Sequence, residues 1–127
     1  MKQIIGTNKA PHAIGIYSQA IKAGNTVYFS GQIPLDPETM EIVQGNFKEH
    51  VHRVFKNIAG IAEAAGGGLS QIVKLTIYLV DIENFAAVNE VMKEYYEEPY
   101  PARTIVVVKQ LPKNALVEMD ALMVLGE

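Results

Sequence analysis

The stretch Ile72-Val73-Lys74-Leu75-Thr76-Ile77-Tyr78-Leu79-Val80-Asp81 decides the fold class. In an extended chain Val73, Leu75, Ile77 and Leu79 fall on one side and Lys74, Thr76 and Tyr78 on the other, so the run reads as a β-strand with one apolar face. On either side of it the apolar period changes. Upstream, Phe47, Val51, Val54, Phe55, Ile58, Ile61, Ala62 and Ala65 recur at three- and four-residue steps, the stripe of an amphipathic helix. Asn46 and Glu49 have the spacing of a capping box, and Gly66-Gly67-Gly68 supplies a stop. Downstream, a second helix is predicted from an N-cap at Asp81 to just before Pro99. Phe85, Val88, Met92, Tyr95 and Tyr96 form its stripe, with Asn89 lying among them.

Further outward the chain is β-rich. Residues 26–30 follow the turn signal Gly24-Asn25, residues 104–109 are a β-branched run, and residues 116–125 form a last strand. The order strands, helix, strand, helix, strand, strand implies an α+β fold, a mixed β-sheet with two helices packed on one face. The opposite face then carries a mixture of Thr, Tyr, Lys and apolar side chains. Such a face is either solvated or covered by another subunit.

Composition sets the outer bounds. The 127 residues are 49% apolar and 20% charged, which excludes disorder and fits one domain over 1–127. The absence of cysteine excludes disulfides, thiolate zinc sites and cysteine nucleophiles. Eleven basic against fourteen acidic side chains give a net charge of −3 without a basic cluster, which argues against nucleic acid as a partner. The N-terminus has no signal-peptide pattern, and no apolar run approaches the ~20 residues of a membrane span. A cytoplasmic protein without membrane contact is the expectation.

A few polar residues stand where they need a reason. Arg103 follows Tyr100-Pro101-Ala102 at the head of the β-branched run. Spacing alone favours a solvated strand-end arginine over a fixed guanidinium fork that grips a carboxylate or phosphate. Glu118 and Asp120 lie two apart and share a semi-apolar strand face with Leu116 and Leu122. They are either salt-bridged or wet acids, or a carboxylate whose proton affinity is raised for acid–base work. Asn89 interrupts an apolar helix stripe, where a structural hydrogen bond is the commoner explanation. Ser30-Gly31 ends a strand where glycine permits close backbone approach, but the surroundings are not those of a nucleophile elbow. His12, His50 and His52 have neither triad nor metal spacing, and the glycine run lacks the ending of a phosphate loop. No metal, nucleotide or flavin signature is present.

Six segments then carry a resemblance: Asn8-Lys9-Ala10-Pro11, Gly15-Ile16-Tyr17-Ser18-Gln19-Ala20, Phe29-Ser30-Gly31-Gln32-Ile33-Pro34, Phe85-Ala86-Ala87-Val88-Asn89, Tyr100-Pro101-Ala102-Arg103 and Val117-Glu118-Met119-Asp120-Ala121. Their identity and order, from Asn8 to Val124, resemble the reactive intermediate deaminase (Rid, YjgF-like) family, also known as the L-PSP endoribonuclease or translation-inhibitor family. The resemblance implies a chorismate-mutase-like fold and a homotrimer with helices outside and a site in each cleft between subunits. It implies hydrolysis of reactive 2-imino acids and their enamines to 2-oxo acids and ammonia, without a cofactor. Among site residues it implies Arg103 as the group that grips the substrate carboxylate and Glu118 as the acid that orients water. Tyr17, Ser30, Gly31 and Asn89 match other cleft positions. Ile105 stands where many members have cysteine, so a thiol role is not expected and an apolar pocket wall is. Two other functions fit the same motifs: an endoribonuclease that inhibits translation, and a non-catalytic binder of small carboxylates.

Overall fold

The computed structural model describes residues 1–126. Asn46 is the N-cap of α1 (Phe47–Ala64), and the capping box is complete. Asn46 Oδ1 accepts from the Glu49 N–H and Glu49 Oε1 from the Asn46 N–H, each at 3.0 Å. The helix ends at Ala65, and Gly66 takes the left-handed conformation (φ 92°) that turns the chain toward the sheet.

Six strands follow the chain order β1 (Lys2–Ile5), β2 (Ala20–Ala23), β3 (Thr26–Phe29), β4 (Ile72–Leu79), β5 (Ala102–Val107) and β6 (Val117–Val124), with α2 (Phe85–Met92) between β4 and β5. They form one sheet in the order β1-β2-β3-β6-β4-β5. Only the β4–β5 pair is parallel, as a connection through a helix requires. Leu75, Ile77 and Leu79 of β4 and Val117, Met119, Ala121 and Met123 of β6 are buried beneath the helices. They meet Val51, Val54, Phe55, Ile58, Ile61 and Ala62 of α1 and Val88, Val91 and Met92 of α2 in one apolar cluster. Each large aliphatic side chain fully buried there contributes roughly 1.5–3 kcal/mol. The expected α+β architecture, two helices on one face of a mixed sheet, is the one observed.

Several details differ from expectation. Val73 is 46% exposed, because the β4–β6 register slips between Ile72 and Lys74 and puts Ile72 inward in its place. The second helix is shorter than its apolar stripe. Asp81 caps a 3₁₀ turn (Ile82–Asn84) through the Glu83 N–H at 2.9 Å, and α2 proper runs only from Phe85 to Met92. Beyond it the Tyr95 and Tyr96 amides both turn back onto the Met92 carbonyl. Phe55 holds the two tyrosine rings at 5.1 and 5.6 Å, so the stripe continues as packing after the helix has ended. β5 begins at Ala102, which places Arg103 inside the strand. The strands β1 and β2 are elements whose four-residue segments carry no distinctive alternation; cross-strand pairing along the sheet fixes them. Among the described residues no helix is long and apolar enough to cross a membrane.

Candidate active site

Glu118 lies on the sheet face turned away from the helices, opposite Tyr78 in the antiparallel β4–β6 register. A short bridge holds its neighbourhood. The Gln32 N–H donates to the Met119 carbonyl at 2.8 Å, and the Met119 N–H returns a bond to Gln32 at 3.0 Å. This lays Gly31 directly against the carboxylate: a Cβ at that position would lie 2.0 Å from Glu118 Oε2. Gly31 therefore serves close approach, with no unusual backbone angle involved. Ser30 is fixed next to it, its N–H donating to the Gln19 carbonyl at 3.0 Å and its hydroxyl to the Ser18 carbonyl at 2.6 Å.

These groups line an open cleft of about 480 Å³ together with Tyr17, His12 and Lys113. Tyr17 is 53% exposed and its phenol oxygen accepts from the Ile14 N–H at 3.3 Å. Burial pushes the Glu118 carboxyl above the ordinary carboxylate range, and the charge of Asp120 adds to the effect. Among the described residues nothing donates a hydrogen bond to that carboxylate that would offset either cause. The first strand-face alternative, a salt-bridged acid, is not what the structure shows for Glu118.

Arg103 belongs to a different cleft. Its strand register is with Leu75, a residue facing the helices, so its side chain runs under α2. Nη1 donates to Asn89 Oδ1 at 2.5 Å and approaches Met92 Sδ at 3.7 Å, and the guanidinium carbon stands 5.5 Å from the Phe85 ring centre. Arg103 is exposed, yet these contacts tie its guanidinium to α2. Asn89, too, is explained: the amide that interrupts the helix stripe is the acceptor that orients the guanidinium. Arg103 and Asn89 line an open depression of about 460 Å³ with Tyr100, Pro101, Met92 and Lys93. Ile105, two residues along β5 on the same face, is half-buried against the core and lines neither cleft.

One chain thus brings Tyr17, Ser30, Gly31 and Glu118 together and, separately, Arg103 and Asn89. The two groups sit on opposite faces of the sheet. Sequence reading missed the residues that build the walls. Gln19 is buried, and its amide ties the carbonyls of Thr7 (3.0 Å), Ala10 (3.2 Å) and Pro11 (2.6 Å) into the rim of the Glu118 cleft. Asn57 is fully buried and binds the Leu35 carbonyl at 3.1 Å, holding the loop beyond Gln32 onto α1. Asn57 had a readable signal, since it falls three residues after Val54 and four before Ile61 on the apolar stripe. Gln19 had none locally. Lys113 and Asn114 both adopt left-handed angles (φ 57° and 56°) in the turn before β6, a strained conformation at the cleft mouth.

Fold and clefts define an α+β protein whose helices cover one sheet face, with Glu118 in a cleft on the other face and Arg103 in a second depression at the sheet edge. Comparison with known proteins narrows this class. The family model described as Endoribonuclease L-PSP matches residues 7–125. A RutC family protein of Pyrococcus abyssi is 54% identical over 121 residues, 95% of each chain. A Dermatophagoides farinae protein named 2-iminobutanoate/2-iminopropanoate deaminase is 44% identical over 124 residues, 98% of this chain and 97% of its own. The crystal structure of RidA from an Antarctic Psychrobacter superposes with a TM-score of 0.94 at 51% identity, covering 97% of this chain and 99% of that one. The chain belongs to the reactive intermediate deaminase family, the YjgF-like or L-PSP endoribonuclease family.

Proposed function

We propose that the protein is a 2-imino acid deaminase, hydrolysing 2-aminoacrylate, 2-iminopropanoate and 2-iminobutanoate to 2-oxo acids and ammonia. The observation that carries this reading is Glu118: a desolvated carboxyl without a donor, held over Gly31 in an open cleft. Its environment suits a group that takes a proton and gives it back. The deaminase name borne by the Dermatophagoides relative supports the same chemistry.

The steps follow from the residue types. Arg103 presents a planar fork, one nitrogen of which Asn89 already orients, and a carboxylate is its natural partner. Every proposed substrate has that carboxylate one bond from the electrophilic carbon. Glu118 accepts a proton from water as the water oxygen adds to this carbon, and the C=N electron pair moves onto nitrogen, which takes up a proton from solvent water. Glu118 then returns its proton to the amine of the carbinolamine, the C–N bond breaks and ammonia leaves, and the C=O bond forms as the hydroxyl gives its proton to solvent water. Imino acid and water give oxo acid and ammonia, with no further reactant needed.

Arg103 and Glu118 can act on one small molecule only if two copies of the chain share it, because within one copy they occupy opposite faces. We therefore place the site between subunits of a homotrimer, with Tyr17, Ser30, Gly31 and Glu118 from one copy and Arg103 with Asn89 from the next. The open sheet face, with Tyr28 51% exposed and Val124 44% exposed, is the surface such an assembly would cover.

The test is ammonia release from enzymatically generated 2-iminobutyrate, run beside RNA cleavage on the same nuclease-free preparation. Accelerated ammonia release with intact RNA is the expected result. Cleaved RNA without ammonia would favour the endoribonuclease reading, and neither activity would favour a carboxylate binder.

A further inference from the structure

Glu118 and Asp120 share the open face of β6, yet their carboxyl groups have unlike neighbours. Tyr78, the cross-strand partner of Glu118, leans along the face and donates its hydroxyl to Asp120 Oδ2 at 3.0 Å. Glu118 has no such donor among the described residues and instead faces Gly31 and the cleft. We propose that Tyr78 and Asp120 form a positioning pair for the deaminase reaction: the phenol anchors the Asp120 carboxylate on the open face of β6, and that anchored neighbour sets how readily Glu118 takes up and returns its proton.

The inference rests on the proposed deaminase chemistry for its purpose, and on the side-chain arrangement for its substance. Glu118 and Asp120 lie two residues apart on one face of β6, so the charge of one is felt by the other. The Tyr78 hydroxyl, 3.0 Å from Oδ2, holds the Asp120 carboxylate in one place on the strand face. Glu118 must ionise beside a negative charge and against a desolvated wall, and both causes raise its proton affinity. The Tyr78 phenol responds in kind, held above its ordinary pKa first by the bond to Asp120. A carboxylate of raised affinity is the better acceptor of a proton from attacking water.

The other groups facing the pair are few. On β4 they are Thr76, the register partner of Asp120, and Lys74, whose ammonium donates to Thr104 Oγ1 of β5 at 3.3 Å. β3 adds Tyr28 opposite Leu122, and the cleft wall adds His12, Tyr17 and Lys113. A neighbouring copy would add the partner's Arg103. All are common to wild type and variants, so a comparison isolates the pair.

The experiment is a site-resolved carboxyl NMR titration of the intact protein as wild type, Asp120→Asn and Tyr78→Phe, alongside pH profiles of kcat/KM for 2-iminobutyrate. Asp120→Asn should lower the Glu118 midpoint and carry the acid limb of the profile down with it, leaving kcat/KM above the limb roughly two- to tenfold reduced. In Tyr78→Phe the Asp120 carboxylate loses its anchor, and the Glu118 midpoint should move from its wild-type position. A Glu118 midpoint unmoved by Asp120→Asn overturns the proposal, as does a Glu118 midpoint in Tyr78→Phe that coincides with the wild type. Midpoints that move as expected in a protein releasing no ammonia would uphold the pair and overturn the deaminase reading alone.

Discussion

β4 and β6 each show two different molecules to their surroundings. On the helix side Leu75, Ile77, Leu79, Val117, Met119 and Met123 are sealed under α1 and α2. On the other side Thr76, Tyr78, Glu118, Asp120 and Leu122 remain half-open and include two acids and a phenol. The same backbone positions both sets, since alternate residues of a strand point to opposite faces. Rigidity is therefore supplied by one set of side chains, and the next set lines the face where we place the chemistry. The difference teaches that substitutions in the sealed set should cost folding and those in the open set turnover, with Arg103, exposed at the β5 edge on the helix side, going with the open set.

The largest expected effect is on the open face. Glu118→Gln keeps the shape of the side chain but is a far poorer proton acceptor, and kcat should fall by about 10²–10⁴-fold. Binding of a 2-oxo acid should persist, as isothermal calorimetry would show. Thermal stability should move the other way. The folded-state pKa of Glu118 is raised, so its favourable contribution to folding is present below the carboxylate range and lost as pH rises through the folded value. Melting curves should thus show the Gln variant gaining on wild type as pH rises toward neutral, with no gain in acid. A variant that loses turnover and stability together at neutral pH would break the separation.

The next effect belongs to the sealed face. Ile77→Ala empties a fully buried position and should cost about 2–5 kcal/mol in denaturant unfolding. Activity per folded molecule should stay within a factor of two or so of wild type. Arg103→Ala should follow, losing roughly 2–4 kcal/mol of transition-state stabilisation, or about 30- to 1000-fold in kcat/KM, with melting temperature little changed. Arg103→Lys should recover only part, because an ammonium cannot reproduce the fork that Asn89 orients. The smallest effect sharpens the picture most locally. Gly31→Ala forces the Glu118 carboxylate to shift, since the added carbon would fall 2.0 Å from Oε2, and kcat should drop roughly tenfold through misplacement of the base. Unchanged kcat there would mean that Glu118 has room to swing without consequence.

Legibility in the sequence followed the same division. The sealed face announced itself through period, as in the α1 stripe and the alternation from Leu75 to Leu79, because burial demands repetition. Caps were legible for the same reason: Asn46 and Glu49 are local chemistry at fixed spacing. The shortened α2 was not, because the Phe55 contacts that hold Tyr95 and Tyr96 are non-local. Nor were β1 and β2, whose four residues each gain their form from neighbours in the sheet. In the clefts, residue type and motif pointed to Arg103, Glu118 and Gly31, while Gln19 and Asn57, which hold the walls through backbone carbonyls, were passed over. No spacing along a chain could show that Arg103 and Glu118 face opposite ways; this follows from the registers Leu75↔Arg103 and Tyr78↔Glu118 together.

That opposition is the central claim, and a mixing experiment tests it most directly. Arg103→Ala and Glu118→Gln proteins, each nearly inactive alone, would be unfolded together in equal amounts and refolded. If each site takes its arginine from one copy and its acid from the next, random assembly leaves about a quarter of the sites with both groups intact. Ammonia release from 2-iminobutyrate should then recover to about a quarter of the wild-type rate. A mixture that stays as inactive as its two components would show that both groups act within one chain, and would contradict the account.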